Sequence, residues 1–140
     1  MHSPAPRVIF FLVKDVKTKI QKIIQIAHFH FSKKEHLLLS VQDPAALKFL
    51  DELLWKDPEE SFLPHSISDN PTADLVVLTM QKKNINRSKY LFNLCPTPLL
   101  FETEAKIIYE LEDATSPNKH LLSQQRLQAY KAAKYPIESR

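Results

Sequence analysis

Asp15 and Asp43 each follow an apolar run and immediately precede an amphipathic one. At the carboxyl ends of parallel strands, two such carboxylates could hold Mg²⁺, the basis of a phosphoryl-transfer enzyme or nuclease. Aspartate is equally a preferred N-cap, where its carboxylate satisfies free N–H groups of a first helical turn without a metal. No third acid, lysine or hydroxyl is spaced to complete a metal centre, so capping is the simpler account of both positions. Among the histidines, His28 and His30 are two apart on a helix and face different sides, while His2, His36, His65 and His120 are scattered, so none has ligand spacing. Cys95, the single cysteine, lies in an apolar strand without a neighbouring histidine, which suits a buried, inert thiol. Neither a catalytic residue nor a cofactor is expected from these groups.

The 140 residues contain no glycine. Loops that cradle phosphate need glycine for close backbone approach and positive φ, so a Walker loop, a dinucleotide fingerprint and a nucleophile elbow are all absent. Turns must use Asn, Asp and Pro instead, as in "SDNPT" (68–72) and "SPN" (116–118). A lone cysteine excludes an internal disulfide and fits a reducing compartment. The apolar run "VIFFLV" (8–13) is too short for a membrane span and has no small-residue cleavage site after it, so a cytoplasmic protein with no membrane contact is expected. The net charge of +3 is modest, and 5 of the 19 basic residues but only 1 of the 16 acids lie from Ala114 onward. The positive balance therefore belongs to the last segment.

The elements that must position these groups follow from periodicity. "RVIFFLV" (7–13) reads as a first central strand buried on both faces, and Ile20, Ile23, Ile24, Ala27 and Phe31 give a helix over 16–33. "HLLLSV" (36–41) is a strand, Asp43-Pro44 opens a helix carrying Leu47, Leu50 and Leu54, and "ADLVVLTM" (73–80) is a third buried strand. "QKKNINRSK" (81–89) reads as an exposed basic loop, "YLFNLC" (90–95) and "AKIIYELE" (105–112) as strands, and Ser116-Pro117 opens a last helix to about Lys134. Residues 136–140 are left as a C-terminal tail. Strands alternating with helices predict one α/β domain over 1–140, with a mainly parallel central sheet and helices on both faces, a Rossmann-like topology without a nucleotide site.

Two surfaces stand out. Trp55, followed by Phe62-Leu63-Pro64, concentrates residue types that anchor protein interfaces, although the indole could also close the edge of the core. On the last helix, Arg126, Tyr130 and Lys131 set cations beside an apolar strip, which suits an acidic peptide with an apolar end, or a solvated amphipathic helix with no partner. Lys82, Lys83, Arg87 and Lys89 form an acid-free loop that could meet phosphates, so direct single-stranded nucleic-acid binding is a further reading.

"FLDELLWKDPEESFLPH" (49–65) resembles the signature stretch of the chi subunit of bacterial DNA polymerase III, in which a Leu-Asp-Glu-x-Leu-Trp helix end leads into Ser-Phe-x-Pro-His. "RVIFFLV", the basic loop and "RLQAYKAAKY" (126–135) are similar to the family in the same order, so the likeness runs through nearly the whole chain. The resemblance implies an α/β, non-enzymatic subunit of the clamp-loader assembly that links it to the acidic, phenylalanine-ended C-terminal tail of single-stranded-DNA-binding protein. It implies a second surface, Trp55, Phe62, Leu63 and Pro64, for the psi subunit or a competing helicase, with DNA approached only indirectly. The tail surface it implies is Leu111, His120, Gln124, Arg126, Leu127, Tyr130 and Lys131. Gln124 stands where the family commonly places an arginine, His120 at a neighbouring basic position, and Leu127 in place of a tyrosine. Arg126 is accordingly expected to take over the tail's carboxylate.

Overall fold

The computed structural model describes residues 4–56, 63–101 and 103–140. Seven parallel strands form one sheet, β1 (Arg7–Val13), β2 (Leu37–Ser40), β3 (Ser66–Ile67), β4 (Val76–Thr79), β5 (Tyr90–Asn93), β6 (Ile107–Asp113) and β7 (Ile137–Ser139), in the order β3-β4-β2-β5-β6-β1-β7. Among the described residues three helices, α1 (Val16–Ser32), α2 (Pro44–Lys56) and α3 (Pro117–Ala132), cover it. The predicted mainly parallel α/β domain is the observed one.

Side-chain alternation divides the core into two layers. Ile9, Val13, Leu39, Leu78, Phe92 and Leu111 meet Ile23, Ile26 and Ala27 of α1 and Leu50 and Leu54 of α2 on one face. Val8, Phe10, Leu38, Val77, Leu91 and Ile108 project to the other, where Tyr130 of α3 covers them. Because a strand's side chains alternate, each of these runs feeds both layers and must be apolar throughout, which is why their sequences read as unbroken apolar segments.

The second face is completed by loops as well as by α3. Among the described residues no helix links β4 to β5 or β5 to β6, and Ile85, Leu99 and Ala105 of those connections enter the core. The segment 81–89 therefore departs from the exposed loop predicted for it. Lys82, Lys83, Arg87 and Lys89 face solvent, but Ile85, Asn86 and Ser88 are buried. Asn86 Nδ2 donates to the carbonyls of Leu37, Asp74 and Leu75, supplying partners that a covered strand end needs. Residues 136–140 are likewise no free tail, since Ile137–Ser139 pairs with Val8–Phe10 as an edge strand. β1 is thus next to the edge rather than central, and Leu12 remains exposed.

Without glycine, positive φ falls on charged residues, Lys34 at 57°, Arg87 at 52° and Lys134 at 65°. Lys34 and Lys134 each follow a helix end. The Lys34 and Glu35 N–H groups donate to Phe31 and His30 carbonyls, and those of Lys134 and Tyr135 to Lys131 and Tyr130. This is the paired closing pattern in which glycine is normally preferred.

Candidate functional site

A crevice of about 370 Å³ opens at the carboxyl edge of the sheet. Open parallel sheets place ligands there, because the strands end while the helix starts diverge around the gap. One wall comes from α1 and α2 through Lys19, Ile23, Ala46, Phe49 and Leu50, and the opposite wall from α3 through Asn118, Lys119, Leu122 and Arg126. Strand ends Asn93–Pro96, Leu111 and Asp113 form the floor. Phe49 stays 55% exposed, a large apolar side chain left at the mouth.

The polar rim is held by ion pairs. Lys19 Nζ donates to Asp113 Oδ2 at 2.6 Å. Burial acts to raise the Asp113 carboxyl, but hydrogen bonds from Lys19 and Thr115 outweigh it and hold the group below the usual carboxylate range. Behind the opposite wall lies Glu110, fully buried on the α3 face. Its Oε1 accepts from Arg126 Nε at 2.9 Å, and its Oε2 from Asn93 Nδ2 at 2.7 Å and Tyr130 Oη at 2.6 Å. Burial pushes the Glu110 carboxyl up to about 6 against the opposing pull of Arg126, so at neutral pH it is a carboxylate facing three donors.

Glu110's partners in turn fix the loop 94–99. Arg126 Nη1 donates to the Pro96 carbonyl, Asn93 Nδ2 to the Thr97 carbonyl, and Leu99 N to Tyr130 Oη. Asn93 Oδ1 accepts from Cys95 N. A buried acid 16 residues before Arg126 and 20 before Tyr130 thus sets the shape of the crevice. The sequence held one sign of it, a lone carboxylate inside the otherwise apolar run "IIYEL", at an inward-facing position of the strand.

The residues expected on the tail surface separate into groups. Leu111 and Arg126 line the crevice. Tyr130 has none of its surface exposed and lies under α3, where burial raises its hydroxyl far above the ordinary value, so its expected role as a partner contact is corrected to that of a core residue. Arg126 is 7% exposed, and the expectation that its guanidinium is free for a carboxylate is corrected by its bonds to Glu110, Pro96, Leu111 and Ser123. Gln124 and Lys131 are exposed, Leu127 packs partly against the second core layer, and His120 faces Glu112 at 3.4 Å. The tail residues therefore form no continuous surface.

On the other predicted surface, Trp55 keeps 39% of its area accessible while its Nε1 donates to Asp51 and its ring lies on His65, centroids 4.3 Å apart. Pro64 is exposed, whereas Leu63 is wholly buried in the first core layer and so is no surface contact. Phe62 lies outside the described residues.

The two aspartates are used locally. Asp15 Oδ1 accepts from Thr18 N at 2.7 Å and Asp43 Oδ1 from Ala46 N at 2.8 Å, each at the start of its helix. Thr18 also holds the Asp15 carboxyl below its ordinary value. Among the described residues no group of three or more His, Cys, Asp or Glu side chains is placed to hold a metal ion. His30 is 1% exposed between Glu35 and Tyr109, and burial lowers its pKa. Burial likewise raises the Cys95 thiol. Lys82 of the basic loop donates to Thr97 Oγ1. Among the described residues no helix is long and apolar enough to cross a membrane.

Fold and site together define a parallel α/β protein with a part-apolar cleft at the carboxyl edge of its sheet, lined by Lys19, Lys119 and Arg126. A sequence model of the family described as DNA polymerase III chi subunit, HolC, matches residues 6–138. The chain belongs to this family of accessory replication subunits. It is also similar to the DNA polymerase III subunit chi of Escherichia coli (strain K12), 25% identical over 122 residues that cover 85% of this chain and 82% of that protein.

Proposed function

We propose that this chain is a clamp-loader-associated accessory subunit, cytoplasmic and without a catalytic step of its own, that takes up the acidic C-terminal tail of single-stranded-DNA-binding protein. The observation that carries this reading is the crevice, whose walls combine apolar Ile23, Phe49, Leu111 and Leu122 with Lys19, Lys119 and Arg126. A phenylalanine ring fits the apolar part, and the acidic residues before it fit the side of α3, which exposes Lys119 and Lys131 and contains no acid. The ring's burial supplies affinity and the charges supply orientation and encounter rate. The half-exposed Trp55 with Pro64 offers a separate anchor for the psi subunit or a helicase, six residues along α2 from Phe49.

Fluorescence anisotropy tests the reading, with a labelled peptide copying the tail of the same organism's single-stranded-DNA-binding protein, with and without its final phenylalanine. Saturable binding that is lost with that residue is expected. An affinity indifferent to the phenylalanine, or no binding at low salt, refutes it.

A further inference from the structure

We propose that the terminal carboxylate of the bound tail is taken by Lys119, on the first turn of α3, and that Arg126 is a positioning residue that shapes the wall beneath it. The proposal rests on the tail-binding reading above.

A guanidinium carries five N–H donors. In Arg126, Nε is used by Glu110, one Nη1 hydrogen by Pro96 and both Nη2 hydrogens by Leu111 and Ser123, which leaves a single donor. A carboxylate bound bidentately by Arg126 would have to displace Glu110 or strip backbone carbonyls of their partner, and a buried acid stripped of its cation is strongly unfavourable. Lys19 gives one of its three ammonium hydrogens to Asp113 at 2.6 Å, and that carboxylate offsets its charge. Asp113 also puts a negative charge on that side of the cleft, which repels a second carboxylate.

Lys119 differs from both. It lines the crevice, is exposed, and takes part in no ion pair among the described residues. The first turn of α3 contains no acid to neutralise the positive end of this 16-residue helix, so the helix dipole adds to the lysine's charge at that corner. Asn118 lines the crevice beside it, and its side-chain amide offers a further donor. With Leu111 and Leu122 below, the corner matches a C-terminal aromatic residue, ring inward and carboxylate on α3. The type of ligand follows from the chemistry: a free α-carboxylate on an aromatic side chain, with acids upstream.

The experiment compares that tail peptide as the free acid and as the C-terminal carboxamide, by anisotropy against the full chain. The wild type is expected to bind the amide about tenfold more weakly, the worth of one charge-assisted hydrogen bond at a part-exposed site. Lys119→Ala should weaken the free acid by the same factor and erase the distinction between the two peptides, while Lys119→Arg keeps it. In the double variant Glu110→Gln/Arg126→Met, which removes both members of the buried pair, both peptides should weaken together and amidation still cost about tenfold. A Lys119→Ala protein that still discriminates acid from amide overturns the proposal and leaves tail binding standing. So does a double variant that has lost the discrimination. A wild type that binds neither peptide overturns both readings together.

Discussion

Replacing Arg126 by methionine keeps most of the side-chain stem but removes the guanidinium, leaving Glu110 fully buried without its cation. Breaking a buried ion pair from one side costs about 3–5 kcal/mol, because the surviving charge has neither water nor partner. Two further donors, Asn93 and Tyr130, remain on Glu110, which argues for the lower end of that range. For a chain of this length about 3 kcal/mol lowers the melting temperature by roughly 10 °C. The loss should depend on pH with a definite sign. In the wild type, burial already raises the Glu110 carboxyl from 4.5 to about 6, and loss of the cation raises it further. A carboxyl raised in the folded state destabilises above its folded pKa, and the penalty disappears as pH falls toward the unfolded value. In the wild type this corresponds to about 2 kcal/mol lost between pH 4.5 and 6. The Arg126→Met deficit, measured by urea unfolding, should therefore be full at pH 8 and small at pH 4.5, and Glu110→Gln in the same protein should recover most of it at pH 8. A deficit under about 1 kcal/mol at pH 8, or one equally large at pH 4.5, would refute the assignment of Glu110 as a buried carboxylate held by Arg126.

Glycine at Lys34 or Lys134 removes a side chain from the left-handed region and should raise stability by about 1 kcal/mol at each site, read as a melting temperature about 2–4 °C higher; a fall would show that the lysine side chains stabilise these turns by contacts of their own. Alanine at Asp15 or Asp43 should lower stability by about 1 kcal/mol each through the lost cap. Calorimetric titration of the wild type with Mg²⁺ should give no saturable heat that either substitution removes, and such a heat would revive the carboxylate-pair reading. Trp55→Ala should weaken capture of the psi subunit at least tenfold while costing under about 2 kcal/mol of stability, since a good part of the indole is already accessible; a severe loss of stability with capture unchanged would make Trp55 a core residue.

Much of this protein is set by interactions that span a few residues. Asp15 to Thr18 and Asp43 to Ala46 are caps closed within three positions, so residue type and spacing alone locate the starts of α1 and α2. Unbroken apolar runs give the buried parallel strands, because a strand covered on both faces cannot alternate. The stretch 49–65 carries the family likeness in its order of residues. Absence of glycine excludes the glycine-rich phosphate loops from composition alone, because a side chain at their closest positions would keep the backbone N–H groups away from the anion.

The crevice was decided elsewhere. Glu110 meets Arg126 and Tyr130 because β6 and α3 are packed by the sheet, and helical spacing alone does not say which of Gln124, Arg126 or Tyr130 points at a buried acid. The residues read as one tail surface are split by that packing, with Tyr130 in the core, Arg126 held in the wall and Gln124 in solvent. Leu63 turns inward although its neighbour Pro64 does not, and the final residues become β7 because Val8–Phe10 offered an open edge. Each outcome depends on a partner far away in the chain, and the free energy of burying a group is fixed by what lies opposite it once the layers close. The sequence by itself therefore determined the elements, their caps and the family, while only the tertiary structure decided which charges were left free to meet a ligand.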